Sequence, residues 1–582
     1  MAHWGRPVLF AYAASAVVSV LLLGTLVHAT ATASGWRRVP WTLLLLCYGG
    51  LACGAQSYLF ARYHSYINRR SVLVGTSMLP SVGQQLVADI GAFSAAILPP
   101  VVGAVVLAAI VSRVLDARSS TTRHLDLTLA AVVSIAACGV SNGGGEQAAT
   151  PDVLYLSAFI ELAHARWIHH DDVGRIYPGS RSPIAIPHLK TEPNRNILFI
   201  VTESVRAADS CVEPSKPCET TPFSNRAAKN RFILQQMRAV DSSTAISIAV
   251  MWTGLAVDAS REDFHRMPLV WEYAHNAGYK TAYFTSQNLF FGNQAIWLSG
   301  LPLDETFSAT NIDPNPTYET GANDGALVTQ SLERLARLGA PYVAIVHLSN
   351  THFPYEIDPS DAPFQPQRVA FGSGDRLHVH NRYKDAIYAQ DKHIARLVEG
   401  ARTLPGGERT VIVFTSDHGE QMREWGAVGH ANTLLDAEIH IPFWIDAQGT
   451  TLTPEERSTL ATLRDVPLTT LDVMPTLLDL MGLDGHPDLA PIRTKMPGKS
   501  LLRGGSPPTT PVIISNCSPI FACAFKNWGA IQGQRKVFAT QNAHKWSCFD
   551  LAVDPHEEAP LPPKECADLI RLAEADGRGS PF

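Results

Sequence analysis

A large α/β domain with a mostly parallel sheet, preceded by membrane-spanning helices, is the architecture this chain predicts. Three observations predict it. Charged residues make up only 17 % of the 582, below the ~25 % usual in soluble proteins, and the deficit is concentrated in the first third. From residue 195 onward, strand-like and helix-like stretches alternate, the pattern of a parallel sheet covered by helices on both faces. Two of the strand-like runs, NILFIVT and TVIVFTS, stop abruptly at side chains able to bind metal, Glu203 and the pair Asp417-His418. Open parallel sheets bind ligands at the carboxyl ends of their strands, because the strands are buried and only their ends reach solvent.

The first third holds four apolar stretches, at 8–30, 41–61, 90–114 and 125–141. Crossing ~30 Å of hydrocarbon takes about 20 apolar residues. The first three are long enough; the fourth is short, and reads either as a span or as a buried soluble helix. The first ends in HATATASG, like a signal-peptide cleavage region, but its apolar part exceeds the ~7–15 residues of such segments. It therefore reads as a retained anchor. Arg37, Arg38, Arg113, Arg118 and Arg123 on one side oppose Arg6, Arg62, Arg69 and Arg70 on the other, too even a balance to set an orientation. Cysteines say more. Cys211 and Cys218, Cys517 and Cys523, and Cys548 and Cys566 form three sequence-local pairs, as disulfides in an oxidising compartment do.

A membrane domain is thus expected at 1–142, with about four helices. A connector follows at 143–194, and an extracytoplasmic catalytic domain at 195–582. The connector contains an amphipathic stretch, 152–168, that either lies along the membrane surface or packs against the domain. Strands are expected at 196–202, 280–285, 342–348 and 410–415, with 439–445 and 511–516 as further ones, and helices at 324–338 and 383–402. A net charge of −6 gives no reason to expect a nucleic-acid partner. Nothing in the sequence sets an oligomeric state.

Glu203, Asp417 and His418 supply two carboxylates and an imidazole, a mixed oxygen/nitrogen set that suits Zn²⁺, with Mn²⁺ the alternative. Three protein ligands leave a coordination position open for a reacting oxygen. A nucleophile is offered by Ser242, Ser243 and Thr244, which precede a run of small and β-branched residues with the character of a helix start. A hydroxyl at a helix N-terminus has backbone N–H groups and a positive dipole end beside it, which favour bound phosphate. The alternative is an N-cap cluster and nothing more. HLSNTHFPY at 347–355 places two imidazoles after a strand, and His430 and His440 follow the Asp417-His418 pair; histidines so placed can hold phosphate oxygens or move protons.

NILFIVTESVRAAD, SSTAISIAVM, HLSNTHFPY and SDHGE…GH…HIPFWI occur here in the order found in the alkaline phosphatase/sulfatase superfamily. The chain resembles its membrane branch, the lipid-A phosphoethanolamine transferases and lipoteichoic acid synthases, over roughly 195–560. FDLAVDPHEEAPL at 549–561 is similar to a late sulfatase segment in which an acidic turn follows a strand, and 62–80 resembles a segment outside the membrane in the transferases. The resemblance implies an N-terminal set of transmembrane helices followed by a sulfatase-like domain. It implies a metal site of Glu203, Thr244, Asp417 and His418, with Thr244 the nucleophile because the family's threonine precedes an Ala-x-Ser segment, here Ala245-Ile246-Ser247. By the same resemblance His352 and His430 contact the substrate phosphate or a second metal, Glu420 lies near the substrate, and Asn288 makes a polar substrate contact.

Two departures stand out. The sulfatase motif Cys/Ser-x-Pro-x-Arg is absent around 242–246, and Asp241-Ser242 stands where the transferases carry a Cys-Gly pair. The first argues against formylglycine-based sulfate ester hydrolysis. The expectation is a metal-dependent transferase of the bacterial inner membrane, its catalytic domain outside the cytoplasm. It would move a phosphoethanolamine-like or phosphoglycerol-like head group from a membrane phospholipid to an envelope glycolipid or polymer through a phospho-threonine. A membrane-anchored phosphodiesterase, phosphatase or sulfatase-like hydrolase using water is the alternative.

Overall fold

The computed structural model describes residues 6–63, 66–67, 90–114, 149–168, 181–187, 194–211, 218–289, 294–314, 316–317, 319–367, 376–422, 424, 428–517, 527–540 and 545–575. The chain divides into two compact units, Met1–Arg175 and Ile176–Phe582. In the first, Phe10–Thr32 and Gly35–Tyr58 are long and apolar enough to cross a membrane. The third apolar stretch forms the helix Ile90–Val114; the fourth expected stretch, 125–141, lies outside the described residues, as does most of 62–80. The amphipathic segment is the helix Pro151–Ile168. It packs within this unit through Asp152, a buried carboxylate that accepts from Ser19 Oγ and, at 2.8 Å, from Tyr48 Oη.

The second unit is built on a seven-stranded sheet. Its strands are Asn196–Thr202 (β1), Arg231–Ile233 (β2), Lys280–Thr285 (β3), Glu305–Phe307 (β4), Tyr342–Leu348 (β5), Thr410–Ser416 (β6) and Phe443–Ala447 (β7). Their order is β2-β7-β6-β1-β5-β3-β4, and every neighbouring pair is parallel except those made by β7. The expected strand at 439–445 is corrected: the chain turns through the short helix Asp436–Ile439 before β7 begins. Pro442, which has no N–H to give a ladder, marks that late start.

Every residue of β1 is buried, so its side chains divide by the two-residue strand period. Ile197, Phe199 and Val201 join one core with the helices Thr244–Thr253 and Val473–Leu480, while Leu198 and Ile200 join the other with Asp324–Leu338 and Arg376–Thr403. Covering both faces removes water from continuous Val/Ile/Leu/Phe runs, at ~1.5–3 kcal/mol for each large aliphatic side chain. Asp324–Leu338 matches its expected range; it starts where the Asn323 side chain accepts from Ala326 N and ends at Gly339, whose φ is 74°.

The run at 511–516 does not join this sheet. Val512–Ser515 (β8) edges a separate antiparallel sheet with Asn527–Gln532 (β9), Arg535–Thr540 (β10) and Trp546–Asp550 (β11). Disulfides close Cys211–Cys218 and Cys548–Cys566. Cys517 is also disulfide-bonded, and Cys523, its expected partner, lies outside the described residues.

Candidate active site

Strands β1 and β6 are parallel neighbours in register, Thr202 opposite Ser416. The residues that follow, Glu203 and Asp417, are thereby brought side by side, and both are fully buried. The chain then turns sharply. Ser204 has φ 59°, a left-handed conformation that costs energy for a residue with a Cβ. It is held by Tyr383 Oη donating to Ser204 O at 2.6 Å and by Ser204 N donating to Asp417 Oδ1 at 2.9 Å. Asp417 Oδ1 also accepts from His418 N at 2.7 Å. Its other oxygen, Oδ2, has no hydrogen-bond partner although buried, and lies 3.4 Å from His418 Nε2.

His418 Nδ1 donates to Gly419 O at 2.9 Å, which leaves the lone pair on Nε2. Gly419 is required by close approach: a Cβ there would lie 2.4 Å from Ala437 O. Into this corner comes the helix Thr244–Thr253, anchored at its far end by Trp252 against Trp271 and Tyr283, with ring centroids 5.0 and 5.4 Å away. Thr244, its first residue, donates from Oγ1 to Glu203 Oε1 at 2.9 Å and lies 3.1 Å from His418 Nε2. Ser243 is the N-cap and makes no side-chain cap bond. Asp241 stabilises the turn instead, accepting from Ser243 N at 2.7 Å and Ser247 Oγ at 3.0 Å.

The structure thus gathers Glu203, Thr244, Asp417 and His418 at one point. Burial, and then the negative Asp417 beside it, push the Glu203 carboxyl well above its ordinary pKa. Among the described residues no lysine or arginine pairs with either carboxylate. Two buried carboxylates with one oxygen unpartnered, beside an imidazole lone pair, fit a divalent cation, whose charge would reverse that shift. The donor atoms of Glu203, Asp417 and His418 lie within 4.8 Å of one another.

A second set shares Glu203. Its donor atom and those of His352 and His430 also lie within 4.8 Å of one another. His352 Nδ1 donates to Phe353 O at 2.8 Å and His430 Nδ1 to Glu420 Oε2 at 2.8 Å, so both rings keep the lone pair on Nε2. The His430 ring lies 4.3 Å from that of His418 and 5.1 Å from that of His352. Glu420 is fully buried, accepts also from Tyr355 Oη at 2.8 Å, and is pushed up to about 7 by burial.

Asn288 is buried just beyond β3. The contact to Glu203 from this segment is made by its neighbour: Gln287 Nε2 donates to Glu203 Oε2 at 3.1 Å. His347, one of the two imidazoles of HLSNTHFPY, lies within β5 and not after it. Its ring is fully buried, neither nitrogen has a hydrogen-bond partner, and Nε2 lies 3.8 Å from Glu203 Oε2. Burial pushes it down to about 4. Its place on a strand beside β1 was the available signal. His440, by contrast, turns away and bonds Gln235 O at 2.7 Å.

Residues 195–483 match the family model described as Sulfatase. The chain carries a sulfatase-family domain. It is 24 % identical over 405 residues to a lipoteichoic acid synthase-like protein of Bacillus subtilis (strain 168), covering 65 % of this chain and 61 % of that one. It is 26 % identical over 259 residues to phosphoglycerol transferase I of Xanthomonas campestris pv. campestris, covering 42 % and 32 %. The chain therefore spans less than two thirds of either relative. The solved integral membrane protein lipooligosaccharide phosphoethanolamine transferase A from Neisseria meningitidis superposes with a TM-score of 0.53 at 18 % identity, over 77 % of this chain and 85 % of that one. That likeness is one of fold. The resemblance carried by the motifs is borne out, and the four residues gathered at the sheet edge lie inside the sulfatase-family segment.

Proposed function

We propose that this chain is a membrane-anchored, metal-dependent phosphotransferase that moves a phospho-head group by double displacement. One observation carries the reading: Thr244 Oγ1, at a helix N-terminus, lies within 3.1 Å of both Glu203 Oε1 and His418 Nε2. Glu203, Asp417 and His418, with Thr244, would hold the metal, Zn²⁺ in preference to Mn²⁺ on the mixed oxygen/nitrogen donor set. When bound, it would lower the proton affinity of the threonine hydroxyl and stabilise charge on the phosphoryl oxygens.

In the first half-reaction a bond forms between Thr244 Oγ1 and phosphorus, and the bond from phosphorus to the diacylglycerol oxygen breaks. Glu203 Oε1, which accepts the Thr244 hydroxyl's hydrogen bond, is placed to take its proton, and the departing diacylglycerol oxygen takes up one proton from water, so that the half-reaction ends with diacylglycerol and a phospho-threonine. The N-terminus of Thr244–Thr253, with Thr244 as its first residue, would set a positive dipole end beside the incoming phosphate. His352 and His430, with Glu203, hold its oxygens or a second cation, and Glu420 orients His430 through the Nδ1 bond. In the second half-reaction an acceptor hydroxyl or amine attacks the phospho-threonine, and Thr244 leaves. The names of the two curated relatives and of the solved neighbour support a phosphoglycerol- or phosphoethanolamine-like group and an envelope glycolipid or polymer as acceptor. The apolar helices would hold the domain beside its lipid donor, at the outer face of a bacterial inner membrane, raising effective concentration.

Release of diacylglycerol from vesicles of mixed phosphatidylethanolamine and phosphatidylglycerol tests the reading, because either donor yields it. Thr244→Ala is expected to lower the rate by at least on the order of 10³-fold and to abolish the covalent adduct seen by mass spectrometry. Ser243→Ala is expected to leave both unchanged, since its side chain makes no cap bond. Equal rates for wild type and Thr244→Ala would sink the mechanism, and the adduct's mass names the transferred group.

A further inference from the structure

One buried carboxylate outside the residues assigned above touches three of the segments that carry them. Glu438, in the short helix Asp436–Ile439, is fully buried. Its Oε2 accepts from Ser242 Oγ at 2.8 Å and from Asn432 N at 3.1 Å. Its Oε1 accepts from Thr433 Oγ1 at 2.7 Å, Thr433 N at 3.1 Å and Gln421 Nε2 at 3.0 Å. Ser242 precedes the Thr244 turn, Asn432 and Thr433 follow His430, and Gln421 follows Glu420.

Among the described residues no lysine or arginine pairs with this carboxylate; neutral dipoles alone hold it. Asn516, at the end of β8, completes the clamp. Its Oδ1 accepts from Ser242 N at 2.9 Å and its Nδ2 donates to Thr433 O at 3.1 Å. The Glu438 backbone adds a fourth tie, since Glu438 O accepts from Gly419 N at 2.7 Å, directly after His418.

We propose that Glu438 is a positioning residue that sets the spacing of Thr244 against His430 and Glu420 without touching the reacting atoms. The inference rests on the reading of Thr244 as nucleophile. Among the described residues, each hydrogen-bond partner of the Glu438 carboxyl belongs to a segment that ends at the site. Displacement of a nucleophile by about 1 Å costs on the order of 10²-fold in rate, and the loss falls on kcat because the phosphate-holding histidines remain.

The test uses the full-length Zn²⁺-loaded protein and diacylglycerol release from the same mixed vesicles. Glu438→Ala is expected to lower kcat on the order of 10²-fold with KM changed less than about threefold. Glu438→Gln, which keeps an acceptor and the shape, is expected to recover most of that loss. Ser242→Ala removes only the hydroxyl at the nucleophile end and is expected to lower kcat by about tenfold, with the protein still folded and its melting temperature lowered only slightly, as the loss of one buried hydrogen bond requires. If Glu438→Ala does not fold, Ser242→Ala decides. Wild-type kcat in Ser242→Ala, kcat within threefold of wild type in a folded Glu438→Ala, or no rescue by Glu438→Gln overturns the proposal. Full turnover in Thr244→Ala overturns the nucleophile assignment and this inference with it; loss in Thr244→Ala beside full turnover in Glu438→Ala overturns this inference alone.

Discussion

Two buried charge clusters in the sulfatase-family domain have opposite electrostatics. Asp436 accepts from Arg238 Nη2 at 2.8 Å and from Lys536 Nζ at 2.6 Å, and Lys536 also pairs with Glu557 at 2.7 Å. Two carboxylates there meet two cations. Arg238 and then Lys536 hold the Asp436 carboxyl well below its usual range despite burial. Glu203 and Asp417 are as deeply buried, yet no basic side chain among the described residues pairs with them, and Glu203 is displaced upward instead. The first cluster completes itself within the chain and fastens β10 and the turn after β11 to the segment behind His430. The second lacks the positive charge that would balance it. That contrast suits the divalent cation proposed for the second cluster, whose charge would take the place that Arg238 and Lys536 fill in the first.

Removing one carboxylate breaks the comparison most sharply. Asp417→Asn is expected to leave the metal-free protein as stable as wild type or more so, because a like-charge repulsion disappears. Zn²⁺ affinity, followed by calorimetry, should fall at least ~100-fold, and turnover with it. Lys536→Met is expected to do the reverse. It strands Glu557, leaves Asp436 with Arg238 alone, and costs ~3–5 kcal/mol in denaturant unfolding, with Zn²⁺ affinity nearly unchanged. Similar destabilisation of the two metal-free variants would erase the distinction.

A smaller effect separates a third kind of site, in which only neutral groups surround a buried carboxyl. Burial pushes Glu438 up to about 8 from an ordinary value of 4.5. The folded protein therefore retains a proton that the unfolded chain releases. The stability tied to that proton is fully present below about pH 4.5 and is lost as pH rises through about 8. Thermal melts should decline over that window in wild type and decline less in Glu438→Gln; parallel curves would place the charge elsewhere.

Much of this was legible in the chain. Apolar runs that end in Glu203 and in Asp417-His418 located two strands and the edge at which they open, since a buried parallel strand is continuous in hydrophobicity and its end is chemically abrupt. The 3.6-residue pattern located Asp324–Leu338, and local Cys spacing anticipated Cys211–Cys218 and Cys548–Cys566. Where a strand starts late behind Pro442, or where β8 chooses a second sheet, the local pattern is the same for either outcome and long-range pairing decides.

The side chains around the site divide in the same way. Residue type and position beside a strand end singled out Glu203, Asp417 and His418, because metal chemistry needs those groups wherever they stand, while the resemblance chose Thr244 among three neighbouring hydroxyls and assigned His352 and His430 to the phosphate or a second metal. Gln287, Glu438 and Asn516 carry no such signature. Each became visible only when segments up to 274 residues apart, as Ser242 and Asn516 are, were packed against one another. Sequence by itself determined which chemistry was available and at which edge of the sheet. Only the tertiary structure decided which neutral and acidic neighbours hold it in place, because a hydrogen bond depends on distances that no local pattern encodes.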